Sequence, residues 1–204
     1  MRSSHYLAPL FEPYSVAIIG ATERRGAIGS VLIENMISAR YTGALHPVNP
    51  KHRWVRGLKC YRSIAEVPQP VDLAVVATPP PLVPGIIEEC GRAGARGAVV
   101  ITAGFSETGP EGAALENAVL ENAKRYGLRL LGPNCLGLMR PEIGLNATFA
   151  HGNAIPGSLG VVSQSGAICT ALLDWARPNN LGFSSVVSLG GSADLDFGEL
   201  VDYL

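Results

Sequence analysis

The chain has 204 residues, of which 47% are hydrophobic and 16% charged, a balance that fits a globular protein with a buried sheet and excludes a disordered chain. Sixteen basic residues against seventeen acidic ones give a formal net charge of -1, so no basic surface is expected to attract nucleic acid or a membrane. The sequence contains neither a signal-peptide core nor a stretch of about 20 apolar residues, and we expect neither export nor membrane insertion.

The four cysteines, Cys60, Cys90, Cys135 and Cys169, lie far apart and show no CxxC spacing. This pattern indicates neither a metal site nor a small disulfide framework. Reduced thiols fit a cytoplasmic protein best. We therefore expect a cytoplasmic protein without a metal site.

Short apolar runs alternate with helical patterns from Ser15 to Leu131, which is typical of βαβ units with a parallel sheet. The pattern predicts an α/β fold of the Rossmann type. The order Ser63-Ile64-Ala65-Glu66 predicts a short helix with a capping box, in which Ser63 and Glu66 each satisfy a free backbone donor. The predicted strands are 15–19, 44–48, 73–77, 98–101 and 129–131, and the longer predicted helices are 27–39, 82–93 and 111–126.

The pattern restarts after Pro141, with strands predicted at 159–162 and 184–188 and helices at 167–176 and 197–204. We therefore expect two domains, residues 1–140 and residues 141–204. Two strands and two helices rarely bury enough surface to be stable alone. The last helix also lacks a C-cap glycine, so we expect Leu204 to be a cut end of a longer protein.

A glycine-containing turn, residues 20–29, links the first predicted strand to the first helix. Gly20 and Gly26 let the backbone approach a ligand, and the helix start offers free N–H groups that suit a diphosphate. The spacing is not GxGxxG, because the loop between Gly20 and Gly26 is longer. Glycine turns of this kind also occur for steric reasons alone.

The end of the second strand carries no carboxylate, although an NAD-binding domain normally places Asp or Glu there to bind the adenosine ribose. Lys51 and Arg53 follow this strand instead, after Asn49 and Pro50. They could neutralise a phosphate on that ribose, which NADP and coenzyme A (CoA) both carry. A solvated surface turn is an equally good interpretation of this segment.

Two further strand ends carry small or apolar residues, Thr78-Pro79-Pro80 and Thr102-Ala103-Gly104-Phe105. They lie at the carboxyl edge, where ligands of open α/β sheets bind. The pantetheine arm of CoA is long, thin and largely apolar, and it could lie in a shallow groove there. For Phe105, packing beneath a loop is at least as good an interpretation.

Six short motifs follow one another along the chain. They are Gly20-Ala21-Thr22, Val48-Asn49-Pro50-Lys51, Val71-Asp72-Leu73-Ala74-Val75, Thr102-Ala103-Gly104-Phe105, Gly132-Pro133-Asn134-Cys135-Leu136-Gly137 and Ser163-Gln164-Ser165-Gly166. Their order and spacing resemble those of NDP-forming acyl-CoA synthetases, and the chain is similar to the succinyl-CoA synthetase α subunit from about Pro13 to Leu204. The resemblance implies a CoA-binding Rossmann-like domain followed by the start of a flavodoxin-like domain.

The resemblance also implies roles for individual residues around CoA or an acyl-CoA such as acetyl-CoA. The diphosphate would lie near the first glycine turn, Lys51 would face the 3′-phosphoadenosine end, and Asn134 would lie near the thiol. The implied cofactor-binding residues are Gly20, Ala21, Thr22, Gly26, Asn49, Lys51, Tyr61, Thr78, Pro79, Ala103, Gly104 and Asn134.

The second predicted domain carries an implied phosphate site, Ser163, Gln164, Ser165 and Gly166, at a helix N-terminus whose dipole favours an anion. From the residues alone, an ordinary N-cap is the better interpretation of Ser163. In the family this loop holds the phosphoryl group that passes through a histidine. None of the four histidines, His5, His46, His52 and His151, stands at the matching place.

We therefore expect no catalytic residue in this chain. No ATP-grasp or Walker-type pattern occurs, so ATP or ADP would be bound by the remainder of a parent chain or by an ATP-grasp subunit. The sequence is compatible with a homo-oligomer.

Two alternatives remain open at this point. A related branch fuses the synthetase-like region to a GNAT-type protein lysine acetyltransferase, where the region acts as an acyl-CoA-binding regulatory part. Two segments resemble that branch, Leu172-Leu173-Asp174-Trp175-Ala176 and the stretch from Phe197 to Leu204. In addition, Gly190-Gly191 stands where synthetases usually have Gly-Asn. The third interpretation, an NADP-dependent oxidoreductase, has weaker support.

Overall fold

The computed structural model describes residues 5–204, so the first four residues of the predicted 1–140 domain lie outside the described residues. The described residues form a five-stranded sheet, a four-stranded sheet and a two-stranded antiparallel hairpin within residues 54–59. The elements up to residue 131 are α1 (Ala8–Phe11), β1 (Ser15–Ile19), α2 (Ile28–Ser38), β2 (Ala44–Val48), β3 (Trp54–Val55), β4 (Leu58–Lys59), β5 (Leu73–Val76), α3 (Val83–Arg92), β6 (Gly97–Val100), α4 (Pro110–Tyr126) and β7 (Arg129–Leu131).

The first sheet has the strand order β2-β1-β5-β6-β7, and all of its pairings are parallel. The chain moves outward from β1 to β2, returns to β5 on the other side of β1, and then continues in one direction. The order therefore reverses between β1 and β5, and such a switch point opens a crevice at the carboxyl ends of the strands. The predicted Rossmann-type α/β fold is confirmed.

Helices cover both faces of this sheet, which explains why its strands are continuous apolar runs. Val16 and Ile18 of β1 face a buried cluster that includes Leu32 and Ile33 of α2. Ala17 of β1 faces the opposite cluster, which contains residues of α3 and α4. The alternation along β1 follows from the twofold period of a strand.

The second sheet contains β8 (Gly137–Arg140), β9 (Leu145–Thr148), β10 (Ile155–Ser163) and β11 (Gly182–Ser188), with α5 (Gly166–Ala176) and α6 (Phe197–Tyr203). Its strand order is β10-β11-β8-β9; β10 and β11 are parallel, and the other pairings are antiparallel. One buried cluster includes residues of both sheets, so the two units pack together. The division at residues 140 and 141 stays a prediction.

The predicted capping box at Ser63 is wrong. Residues Ile64–Glu66 form a single 3-10 turn, and the Ser63 side chain makes no capping hydrogen bond. The Glu66 carboxylate instead accepts a hydrogen bond from the backbone N–H of Arg62 at 3.2 Å. The turn is too short to present the helical N3 geometry that a capping box needs.

Candidate functional site

At the carboxyl edge of the first sheet, Gly20 lies close against the segment Ala77-Thr78. Gly20 follows β1 with φ +97°, and a Cβ atom on it would overlap the carbonyl oxygen of Ala77 and lie 3.3 Å from Thr78 Cγ2. Only glycine fits both the positive φ and this close approach. The turns that follow β1 and β5 therefore meet at the switch point.

The glycine turn leads into α2, whose N-terminus has no side-chain cap among the described residues and no acidic residue in its first turn. Ala21 is buried, whereas Glu23 to Gly26 are exposed. An uncapped helix start presents backbone donors and the positive end of the helix dipole. This arrangement suits an anionic group beside the turn.

Asn49, after β2, connects three predicted site residues. Its side-chain Nδ2 donates to the carbonyl oxygen of Ala21 at 2.8 Å, and its Oδ1 accepts from the backbone N–H of Lys51 at 2.9 Å. Its own N–H donates to the Tyr61 carbonyl oxygen at 2.8 Å. Asn49 therefore fixes the turn that carries Lys51, whose side chain is exposed.

Thr22 contacts His52, a pairing that the sequence pattern did not predict. Thr22 Oγ1 lies 3.2 Å from His52 Nε2, and it also accepts a hydrogen bond from the Arg24 N–H at 3.2 Å. The position of His52 in the turn after β2 was the only available signal, because a parallel neighbour strand brings that turn next to the turn after β1. The two turns are joined on this side of the site.

A second chain of contacts runs across the remaining strands. Thr102 Oγ1 donates to the Thr78 carbonyl oxygen at 2.8 Å, and the Asn134 N–H donates to the Thr102 carbonyl oxygen at 2.9 Å. The Thr78 hydroxyl is buried and has no partner among the described residues. Asn134 itself is exposed. Thr78 and Asn134 thus belong to one continuous edge.

The turn after β6 does not offer the Gly104 N–H to a ligand. The Glu107 carboxylate accepts from the N–H groups of Gly104 at 2.6 Å and Phe105 at 3.1 Å. Although partial burial raises the pKa of Glu107, these amide hydrogen bonds outweigh it and hold the pKa below its usual range. Phe105 is fully buried, which confirms its packing role.

Two apolar residues of the predicted groove, Pro79 and Ala103, are exposed on this edge. A Cβ atom on Gly104 would lie 2.7 Å from Pro80 Cγ, so the turns after β5 and β6 also approach closely. Tyr61 is half-buried at the other end of the site, with Lys59 Nζ 5.0 Å from its ring centroid. These residues border the edge on which Gly20 and Thr78 meet.

The loop from Ser163 to Gly166 lies at the carboxyl end of β10. Ser163 Oγ accepts from the Ser165 N–H at 3.1 Å, and Ser165 Oγ accepts from the Ile168 N–H at 3.3 Å. The N-cap of α5 is therefore Ser165, and the interpretation of Ser163 as the N-cap is wrong because β10 continues through Ser163. Gln164 is exposed.

This loop packs beside the segment that contains Asn134. A Cβ atom on Gly166 would lie 3.0 Å from Leu136 Cβ, and a Cβ atom on Gly190 would overlap the Asn134 carbonyl oxygen. The Ser163 carbonyl oxygen also accepts from the Leu189 N–H at 2.8 Å. The predicted thiol end and the predicted phosphate loop are therefore neighbours.

The cysteine next to Asn134 is not an accessible nucleophile. Burial raises the pKa of the Cys135 thiol to about 12, and all four cysteines are buried and free.

Within residues 5–204, no group of three or more His, Cys, Asp and Glu side chains could hold a metal ion. Over the same residues, no helix has the length and apolar character needed to cross a membrane.

Residues 14–141 match the CoA binding domain family, and residues 156–204 match the succinyl-CoA ligase like flavodoxin domain. The chain belongs to the CoA-binding domain family. The predicted relationship to NDP-forming acyl-CoA synthetases is confirmed, and the chain corresponds to the α-subunit-like, CoA-binding portion of such proteins.

Relatives of this CoA-binding domain include two curated ligases. The acetate–CoA ligase [ADP-forming] I of Archaeoglobus fulgidus is 47% identical over 195 residues, which cover 96% of this chain and 28% of that protein. The acetate–CoA ligase [ADP-forming] I subunit alpha of Pyrococcus furiosus is 41% identical over 201 residues, which cover 97% of this chain and 44% of that subunit. Both relatives are named as ligases, and neither supports the acetyltransferase alternative.

A similar solved structure is the dinucleotide forming acetyl-coenzyme A synthetase 1 of Ca. Korarchaeum cryptofilum in complex with phosphate and ADP. The two structures superpose with a TM-score of 0.93 at 40% sequence identity. The aligned region covers all of this chain and 43% of the synthetase chain. The CoA-binding chain described here thus spans less than half the length of each of these proteins.

Proposed function

We propose that this chain binds CoA across the carboxyl edge of its first sheet, as part of a ligase that joins a carboxylic acid to CoA with ATP and releases ADP and phosphate. The observation that carries this proposal is the close approach of Gly20 to Ala77 and Thr78 at the switch point, beside the start of α2, which has no side-chain cap among the described residues. A crevice with free backbone donors at one end suits a nucleotide diphosphate.

The residues at this edge fit the chemistry of CoA. The diphosphate would be held by the turn of Gly20, Ala21, Thr22 and Gly26, and the exposed Lys51 ammonium would face the 3′-phosphate. The buried Thr78 hydroxyl has no hydrogen-bond partner within residues 5–204, and a bound ligand could supply one. Asn49 and Tyr61 would support the adenosine end, and Pro79, Ala103 and Gly104 would border the pantetheine arm.

Gly104 would contribute only its small size, because its N–H already donates a hydrogen bond to the Glu107 carboxylate. Asn134 would lie near the CoA thiol. When bound, CoA supplies that thiol as the nucleophile that accepts the acyl group.

The second unit would hold a phosphate group at Ser163, Gln164, Ser165 and Gly166, close to Asn134. The geometry favours this because α5 has an N-terminus with no acidic residue in its first turn, and Gly166 lies beside Leu136. ATP or ADP would be handled by the remainder of a parent chain or by an ATP-grasp subunit. We propose acetate as the first acid to test and the cytoplasm as the location.

Thermal unfolding tests this function directly. A ligand present at about a hundredfold its Kd stabilises the native state by about 2.7 kcal/mol, which corresponds to a rise in Tm of about 5–10 °C for a chain of this size. We expect CoA to produce such a rise and NADP to produce none. A rise with NADP alone would support the oxidoreductase alternative and contradict this proposal.

A further inference from the structure

An acidic residue, Glu23, lies inside the turn that we propose as the diphosphate site. It follows Gly20 by three residues, and its side chain is 48% exposed. A carboxylate and a diphosphate have the same sign of charge and repel each other when close. The turn can receive a diphosphate only if this negative charge is compensated or turned away.

Arg56 contacts the Glu23 carboxylate in two ways. The Arg56 backbone N–H donates to Glu23 Oε1 at 2.6 Å, and Arg56 Nη1 lies 3.8 Å from Glu23 Oε2. The backbone bond fixes the direction of the carboxylate, and the guanidinium offsets its charge. Glu23 is thereby held toward Arg56.

The position of Arg56 is itself fixed by the β3–β4 hairpin. Arg56 and Gly57 connect the two strands with φ values of +50° and +77°, as in a two-residue type I′ turn. Val55, next to Arg56, is fully buried in the core cluster that contains residues of α2. The hairpin therefore holds Arg56 against the body of the domain.

The same guanidinium reaches the first turns of α2. Arg56 Nη2 donates to Ser30 Oγ at 3.2 Å and forms an ion pair with Glu34. Ser30 Oγ in turn donates to Glu34 Oε1 at 3.2 Å. Arg56 thus links the glycine turn to the first turns of the helix that follows it.

We infer that Arg56 is a positioning residue for the CoA site, which compensates the Glu23 charge and keeps that carboxylate away from the backbone donors of the glycine turn. This inference rests on the proposed function. The exposed side chains of Arg24 and Arg25 in the same turn would then act on the ligand without competition from Glu23. Arg56 acts through Glu23 and does not itself bind CoA.

A double-mutant cycle with CoA titrations by calorimetry tests the inference. We expect Arg56→Ala to weaken CoA binding about five- to tenfold, because Glu23 becomes an uncompensated charge beside the diphosphate. Glu23→Gln alone should leave the Kd within about twofold or lower it. Adding Glu23→Gln to Arg56→Ala should restore the Kd to within about threefold of the original chain.

Two controls keep the result specific. Arg92→Ala removes an arginine from a different Arg–Glu pair, with Glu88 on α3, and changes the net charge by the same amount. We expect it to leave the Kd unchanged. The Tm of each variant without ligand separates a loss of folding from a loss of affinity. The loss of CoA affinity in Arg56→Ala should also become smaller at high salt, because salt screens the charge repulsion.

The inference would be overturned if Arg56→Ala and the double variant Arg56→Ala/Glu23→Gln lost the same affinity for CoA. Arg56 would then act without Glu23. An unchanged Kd in Arg56→Ala would overturn it as well. If the original chain does not bind CoA, the proposed function fails instead, so the two failures are distinguishable.

Discussion

Gly29, at the start of α2, packs so closely on Gly20 that a Cβ atom at position 29 would overlap the Gly20 carbonyl oxygen. The backbone of Gly29 has no positive φ, so its conformation alone would accept another residue. The restriction is the contact with Gly20. The helix start can therefore pack this closely on the glycine turn only because position 29 has no side chain.

We expect Gly29→Ala to destabilise the chain by about 1–3 kcal/mol and to weaken CoA binding, because the added methyl group must displace the turn. Gly85→Ala is the matched control, since a Cβ atom at that helical position of α3 meets nothing within 4 Å. That change should stabilise the chain by about 0.4–1 kcal/mol. Urea unfolding measures both, and a stabilising Gly29→Ala would show that the turn is loosely packed.

Lys51 supplies a test of how the nucleotide end is bound. We expect Lys51→Ala to weaken CoA about three- to tenfold and dephospho-CoA much less, because only CoA carries the ribose 3′-phosphate that the ammonium would pair with. Lys124→Ala, at the exposed last turn of α4, changes the net charge equally and should leave both Kd values unchanged. Equal losses for the two ligands would mean that Lys51 does not touch the phosphate.

An ion-pair network joins the two units and predicts a pH dependence. Arg129 of β7 donates to Glu199 at 2.8 Å and to Asp194 at 3.0 Å, and the Tyr6 hydroxyl donates to Glu199 at 2.9 Å. Partial burial raises the pKa of Glu199, but the hydrogen bonds from Arg129 and Tyr6 outweigh this and hold the pKa below its usual range.

A carboxyl group with a lowered folded-state pKa stabilises the chain above its unfolded pKa, about 4.3, and this contribution is lost as the pH falls through the lower folded value. We therefore expect the difference in unfolding free energy between the original chain and Glu199→Gln to be constant from pH 7 to about 5.5 and to shrink below about 4.3. The decline should be smaller in an Arg129→Gln background. A difference that grows on acidification would contradict this assignment.

Ser165 caps α5, and its loss has a predictable cost. Ser165→Ala removes the acceptor of the Ile168 N–H and should destabilise the chain by about 1 kcal/mol. Ser158→Ala, on the exposed part of β10, should change the unfolding free energy by less than about 0.5 kcal/mol. Chemical unfolding of the two variants measures this, and equal stabilities would mean that the cap contributes nothing.

The main elements of the first sheet were predictable because strands buried on both faces are continuous apolar runs, as in Ser15–Ile19 and Leu73–Val76. The β3–β4 hairpin was missed because each strand has only two residues. Strands β8 and β9 were missed for a different reason. β9 pairs only with β8, and β8 pairs with β11 about 50 residues further along the chain, which local periodicity cannot show.

The site was predictable only to the level of strand ends. Parallel topology places the residues after β1, β2, β5 and β6 on one edge, so Gly20, Asn49 and Thr78 could be identified from position. Individual partners could not be identified in that way. The use of the Gly104 N–H by Glu107 and the contact of Arg56 with Glu23 depend on how loops fold back in three dimensions.

The most direct test of the proposed function is a crystal structure of this chain grown with CoA. We expect the diphosphate to lie against the backbone of residues 20–29, the 3′-phosphate to lie near Lys51, and the thiol to point toward Asn134 and the loop from Ser163 to Gly166. CoA bound elsewhere, with this turn closed by side chains of the protein, would contradict the proposed function.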